Sequence, residues 1–163
     1  MKQNVIYEER LTAKWMIGTF GLLALVFLFL LFFQLVRGPV GQDPAPTWFF
    51  LVLFSVFSML GYNFKRLVIR LTEKDIRVSY GVLSRRVPYG SIQKCYSSRT
   101  HTVRYGGWGI RIWRVKGEWK LGYSVVGVPL VVIELKRGRY KELLFSSRDS
   151  VRVIEIINRQ IMP

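Results

Sequence analysis

Residues 15–36 read WMIGTFGLLALVFLFLLFFQLV, and residues 47–64 read TWFFLVLFSVFSMLGYNF. Neither stretch carries a charged side chain. Coiled as an α-helix at about 1.5 Å per residue, the first reaches about 33 Å, enough to cross a hydrocarbon core of about 30 Å. The second is near the lower length limit, and Leu67, Val68 and Ile69 continue it in an apolar sense. Both runs are apolar on every face, which a helix half-exposed on a soluble protein is not. The first is too long for the apolar core of a signal peptide, and no small-x-small cleavage site precedes Arg37. The expectation is a transmembrane hairpin with a separate domain attached.

Working outward, RGPVGQDPAP joins the two runs, and Pro39, Pro44 and Pro46 discourage helix through it. Arg10 and Lys14 precede the first span, and Lys65, Arg66 and Arg70 follow the second. The loop offers only Arg37 against Asp43. The positive-inside rule then predicts a multi-pass protein of the cytoplasmic membrane with both termini in the cytoplasm. The expected division is a cytoplasmic N-terminus over 1–14, helix 1 over 15–36, an extracytoplasmic loop over 37–46, helix 2 over 47–64 and a cytoplasmic domain over 65–163. Trp15, Trp48, Lys65 and Arg66 are the expected interface anchors, since indoles and basic groups settle at head-group depth. Gly18, Gly21 and Ala24 on the first span, with Ser55, Ser58 and Gly61 on the second, form small-residue faces. Such faces allow close packing of the hairpin on itself, or of a second copy or partner on the hairpin. Neither span holds an Asp, Glu, Lys, Arg or His, which argues against an ion pathway or proton-coupled transport.

The chain has 163 residues, a mean hydropathy of +0.22 and a formal charge of +15. From Lys65 onward there are 21 basic residues against 7 acidic ones, so the charge belongs to the C-terminal part. Anionic lipid head groups and nucleic acid could both use it, and the adjacent spans favour lipid. With one cysteine, Cys95, and one histidine, His101, there is neither an intrachain disulfide nor a Cys/His zinc site. No metal and no cofactor is implied.

After Lys65 the period changes. Strands are expected over 67–72, 76–80, 84–87, 92–99, 130–136 and 140–145, with a further one through Ile110 and Ile112. Glu73 to Asp75 and Gly81 mark tight connections, Tyr89-Gly90-Ser91 a turn, and Arg137-Gly138-Arg139 a hairpin turn with glycine where positive φ is needed. Residues 117–120 read as a turn region, and 121–126 show no decisive pattern. The glycines of YGGWG, residues 105–109, suggest a bulge or close backbone approach, open to a protein-binding edge as well. Ser146-Ser147-Arg148-Asp149 starts a final helix whose apolar stripe is expected along Val151, Ile154, Ile157 and Ile161.

Taken together, the hairpin, LTEKDIRVSYG from Leu71, VPYGSI from Val87, RYGGWGIR from Arg104 and SSRDS from Ser146 are similar to the prokaryotic pleckstrin-homology-like (bacterial PH) domain membrane proteins with two N-terminal transmembrane helices. Ser150 departs from that pattern, where a proline would open the helix. The resemblance implies an α+β domain, a seven-stranded small barrel of two antiparallel sheets capped by the C-terminal helix. It does not imply phosphoinositide binding, because this fold hosts lipid, peptide and protein recognition alike.

The candidate binding residues are Arg85 and Arg86 on one return strand, and Arg99, Arg104, Arg111, Arg114, Lys116 and Lys120 with Trp108 and Trp113 among them, Trp119 also lying between these basic residues. Arginines can meet lipid phosphate while indoles enter the interface. The bland alternative is a solvated basic face over a tryptophan core. Aromatics between arginines can also stack on bases, but no nucleic-acid motif is present, and nucleic acid is not expected as a partner. For catalysis, His101 stands alone, the carboxylates show no ligand spacing, and Cys95 reads as a small buried residue. The expectation is therefore a non-enzymatic, membrane-anchored binding or scaffold module on the anionic leaflet. The alternative is an accessory subunit that packs through its hairpin, with a protein partner or a second copy. A membrane-bound enzyme is the remaining class.

Overall fold

The computed structural model describes residues 4–38, 45–98 and 109–161. The chain divides into two compact units: residues 14–65, and residues 1–13 together with 66–163.

The first unit is the hairpin. Helix α1 is Lys14–Arg37 and α2 is Thr47–Phe64. Both are long and apolar enough to cross a membrane. Gly38, at φ +86, ends α1 by donating its N–H to the Gln34 carbonyl at 3.0 Å, the left-handed stop that favours glycine. Pro46 stands in extended conformation just ahead of α2. Phe20 meets Phe57 and Phe64, Phe27 stacks on Phe57 at 5.4 Å, and Gln34 Nε2 donates to the Ala45 carbonyl at 2.9 Å. Rising numbers on one helix meet falling numbers on the other, so the helices run antiparallel. Of the small residues, Ala24 is buried and Gly61 lies under Phe20, where a Cβ would come within 3.3 Å of the Phe20 Cβ. Gly18 and Gly21 have open space instead. Phe20 and Phe27 fill the seam with Ala24 between them, so of the small residues of α1 only Ala24 lies on the side that meets α2.

The second unit has nine strands among the described residues, where seven were expected. One of the two additions is the strand Glu118–Ser124, where 117–120 were expected to be a turn and 121–126 showed no decisive pattern; the other lies ahead of the hairpin, strand β1 Val5–Thr12. Next come β2 Arg66–Thr72, β3 Asp75–Tyr80, β4 Leu83–Pro88, a 3-10 turn at Tyr89–Ser91 and β5 Ile92–Ser98. They are followed by β6 Gly109–Val115, β7 Glu118–Ser124, β8 Leu130–Leu135, β9 Tyr140–Ser146 and helix α3 Ser150–Ile161. One sheet has the order β1-β2-β3-β4, the other β5-β8-β9-β7-β6.

Strand β1 pairs antiparallel with β2, Leu11 facing Leu67 and Thr12 facing Arg66. The helical hairpin is thus inserted between two paired neighbours. Residues 1–14 are not a tail alone, because part of the sheet is made before the chain enters α1. Tyr7, Glu9 and Leu11 face the side of buried Leu71, Ile69 and Leu67. The Glu9 carboxylate accepts from Ser147 Oγ at 2.6 Å, the Arg148 N–H at 2.9 Å and Tyr7 Oη at 3.1 Å. It ties β1 to the segment entering α3.

The second sheet is not wholly antiparallel: β7 pairs with β9 in parallel. The cause is the short link over 125–129. It returns the chain antiparallel to β7 but one strand-width further on, about 10 Å away. Strand β9 folds back from β8 into that gap, so it must run parallel to β7. Ser146 Oγ accepts from the Val125 N–H at 2.9 Å, and the Ser147 N–H donates to the Pro129 carbonyl at 3.0 Å, fixing the link.

The sheets meet through Tyr80, which stacks on Tyr123 and donates its hydroxyl to the Ser124 carbonyl at 3.1 Å. Phe145, Ile133, Ile76 and Val78 are fully buried around them. Helix α3 covers β5 and the 3-10 turn, burying Val153 and Ile157. Val151 is exposed, contrary to the expected stripe. At about 100° per residue it lies about 120° from Ile157, outside the buried face.

Candidate functional site

Three neighbouring strand ends gather a cluster of cationic and aromatic side chains. In the ladders, Arg114 on β6 faces Trp119 on β7, and Trp119 faces Tyr140 on β9. The β6–β7 connection is two residues long, Lys116 at φ +50 and Gly117 at φ +87, the paired positive φ of a tight hairpin. That turn brings Arg114 back on itself, and its Nε donates to the Gly117 carbonyl at 3.0 Å.

The Arg114 guanidinium carbon lies 5.7 Å from the centre of the Trp119 ring, and that of Arg139 lies 5.8 Å from the same ring. Arg139 is also 5.9 Å from the Tyr140 ring, and Arg85, from β4 of the other sheet, is 5.5 Å from it. The result is a run Arg114–Trp119–Arg139–Tyr140–Arg85 that bridges the two sheets. Arg85 also reaches buried Tyr123: burial raises that hydroxyl above the ordinary tyrosine value, opposed by the positive charge of Arg85. A guanidinium engaged through its face keeps its in-plane N–H groups for a planar or tetrahedral anion. Among the described residues no carboxylate forms an ion pair with Arg85, Arg114 or Arg139.

The other residues singled out from sequence fall elsewhere. Arg86 points to the opposite face of β4 from Arg85, and its Nε donates to Asp75 Oδ2 at 2.8 Å. Asp75 is 3% exposed, so Arg86 neutralises a buried carboxylate rather than offering charge to a partner. Lys120 is held by Glu142 at 2.6 Å. Arg111 and Trp113 alternate onto the face of β6 opposite Arg114, where the Trp113 ring covers Gly122. Lys116 is exposed at the turn beside Arg114. Arg99, Arg104 and Trp108, with His101 and residues 105–108, lie outside the described residues. Sequence reasoning missed Arg139 and Tyr140, taken only as a turn and a returning strand. The available signal was the Arg-Tyr pair opposite Trp119, legible only once the parallel β7–β9 pairing is known.

Of the expected interface anchors, three have definite surroundings in the hairpin. Trp15 and Trp48 are exposed at the starts of antiparallel helices, hence at opposite ends of the hairpin. Lys65 Nζ sits 3.7 Å over the Tyr62 ring at the end of α2. Cys95 is buried, and burial pushes its thiol up to about 12, so it is unionised at neutral pH.

Protein-family models, curated proteins and solved structures yield no match to this chain.

Proposed function

We propose that this protein is a non-catalytic membrane module: the α1–α2 hairpin crosses the cytoplasmic membrane, and the β-sheet unit lies against the anionic inner leaflet through Arg85, Arg114 and Arg139. The observation that carries the reading is the run of guanidiniums on Trp119 and Tyr140, without carboxylate partners among the described residues. Phosphate head groups are the anion of matching geometry nearest to a domain tethered by two spans.

The insertion of the hairpin between β1 and β2 supports the sidedness. Paired strands share one compartment, so a chain that leaves β1 and returns to β2 crosses the membrane an even number of times. The basic flanks Arg10, Lys14, Lys65 and Arg66 support the cytoplasm as that compartment. On this reading the domain is a pleckstrin-homology-like fold, extended by β1 and by the parallel pair. Two stacked sheets and a C-terminal helix support that assignment, while the count of nine strands exceeds the seven such a barrel has.

The test is head-group photocrosslinking of the full-length protein in vesicles. Diazirine-bearing phosphatidylglycerol is expected to label peptides spanning β6, β7 and the β8–β9 turn, and labelling is expected to disappear in the triple variant Arg85→Glu, Arg114→Glu, Arg139→Glu. Labelling confined to the hairpin in both proteins overturns the proposal.

A second reading has its own observation. Gly18 and Gly21 face open space rather than α2, leaving a face of α1 suited to another helix. An accessory subunit packing through its hairpin would use that face, and crosslinking from Gly21→Cys in native membranes tests it.

A further inference from the structure

Among the described residues of the β-sheet unit, Val82 is the most exposed large apolar side chain, at 84%, and its neighbour Leu83 is 47% exposed. They sit at the β3–β4 turn. Tyr80 pairs with Leu83, so the connection is only Gly81 and Val82, with Gly81 at φ +50 in its first position. Turns of this length favour asparagine, aspartate, serine or glycine beside the glycine. A β-branched valine there is out of keeping with local propensity, and two residues give no slack to fold it back onto the core. Along β4, Leu83, Arg85 and Val87 alternate onto one face. Val87 is buried, and Arg85 lies on Tyr140. Leu83 is therefore at the outer end of that same face, about 7 Å along the strand from Arg85. An apolar tip thus adjoins the row of guanidiniums.

We propose that Val82 and Leu83 form a wedge that enters the head-group layer of an anionic leaflet while Arg85, with Arg139 and Arg114 behind it, holds lipid phosphate. The inference rests on the surface reading above and adds to it a penetrating element. Cationic side chains recruit the surface, and the apolar tip finds the acyl boundary beneath the phosphates. Continuity of the chain with two apolar spans makes the bilayer the occupant argued for, ahead of a protein partner.

The experiment uses the full-length protein in sealed vesicles. A cysteine at Val82→Cys is labelled with an environment-sensitive fluorophore. Cys95, buried and unionised at neutral pH, stays unlabelled. Val151→Cys, on exposed α3 surface, and Lys116→Cys, beside the arginines, carry the same label in separate proteins. In vesicles containing phosphatidylglycerol, the label at 82 is expected to shift to the blue and to be quenched by nitroxide placed high on the acyl chain. In phosphatidylcholine alone it is expected to do neither, and the label at 151 is expected to do neither in both. If the label at 116 is quenched by head-group nitroxide while that at 82 behaves like that at 151, the wedge is wrong and the surface reading stands. If the labels at 116 and 82 both behave like that at 151, both fall. Equal quenching at 82 in neutral and anionic vesicles also overturns the wedge as part of a phosphate-binding surface.

Discussion

Replacing Glu9 by alanine should cost the β-sheet unit far more than replacing its neighbour Glu8. Glu9 accepts three hydrogen bonds, from Ser147 Oγ, the Arg148 N–H and Tyr7 Oη. Hydrogen bonds to a charged group contribute roughly 1.5–3 kcal/mol each, but three on one half-exposed carboxylate do not add, and about 3 kcal/mol in all is the reasonable figure. Glu8 points the other way, to Arg10 at 2.7 Å and Arg70 at 2.8 Å. The hydrogen bond from Arg10 is the main cause that holds its carboxyl below the usual value, with Arg70 assisting. Such exposed pairs contribute at most about 1 kcal/mol. Cys95 provides the assay. It is the sole cysteine and is buried in this unit, so its labelling in urea reports opening of the sheets and not of the helices. With a urea dependence of about 2 kcal/mol per molar, Glu9→Ala should lower the labelling midpoint by about 1.5 M and Glu8→Ala by less than about 0.5 M. Equal midpoints for the two variants would refute the claim that Glu9 ties β1 to the start of α3.

Arg85 and Arg86 should separate cleanly despite being adjacent. Arg86→Ala leaves Asp75 buried and unpaired and should destabilise by about 3 kcal/mol, read by the same labelling, whereas Arg85→Ala should change stability by less than about 1 kcal/mol and weaken head-group crosslinking instead. Gly122→Val places a side chain where the Trp113 ring lies, its nearest atom 2.9 Å from the new Cβ; a loss of about 1–2 kcal/mol and altered tryptophan emission are expected. Alkali should unfold this unit. Burial raises the hydroxyl of Tyr89 from 10.0 to about 12 and that of Tyr80 further. Above pH 10 the unfolded chain ionises while the folded one stays neutral, so stability should fall as pH rises from about 10 through 12, a decline that near-ultraviolet circular dichroism in urea would follow.

The hairpin was legible because two uninterrupted apolar runs bounded by charge and proline have one physical solution: 15–36 and 47–64 became Lys14–Arg37 and Thr47–Phe64. Strand β3, with its period-two alternation, and β8, an unbroken apolar run after Pro129, were equally plain. Strand β1 was not, since its inward face carries Glu9, a charge whose partners Ser147 and Arg148 lie 138 and 139 residues away. Strand β7 holds Lys120 and Gly122 among its apolar residues, and its pairing with β9 comes from a link geometry that no local pattern displays. The cluster was half legible for the same reason. Arg85 stood out as one of two arginines on a return strand and Arg114 as a basic residue among tryptophans, but the division of Arg111 from Arg114 between two faces, and the contribution of Arg139, depend on which strands adjoin. Nor does composition distinguish Arg85, which has no carboxylate partner among the described residues, from Arg86, which is taken by Asp75.

The central claim is that Arg85, Arg114 and Arg139 hold the β-sheet unit against anionic lipid. Hydrogen exchange of the full-length protein in nanodiscs tests it most directly, comparing phosphatidylcholine alone with phosphatidylcholine containing phosphatidylglycerol. The account predicts slower exchange in Gly109–Val115 and in the turns at 81–82, 116–117 and 136–139 when the lipid is anionic, with the effect lost in high salt and in the triple glutamate variant. Identical exchange in the two lipids, or protection that survives in that variant, would contradict it.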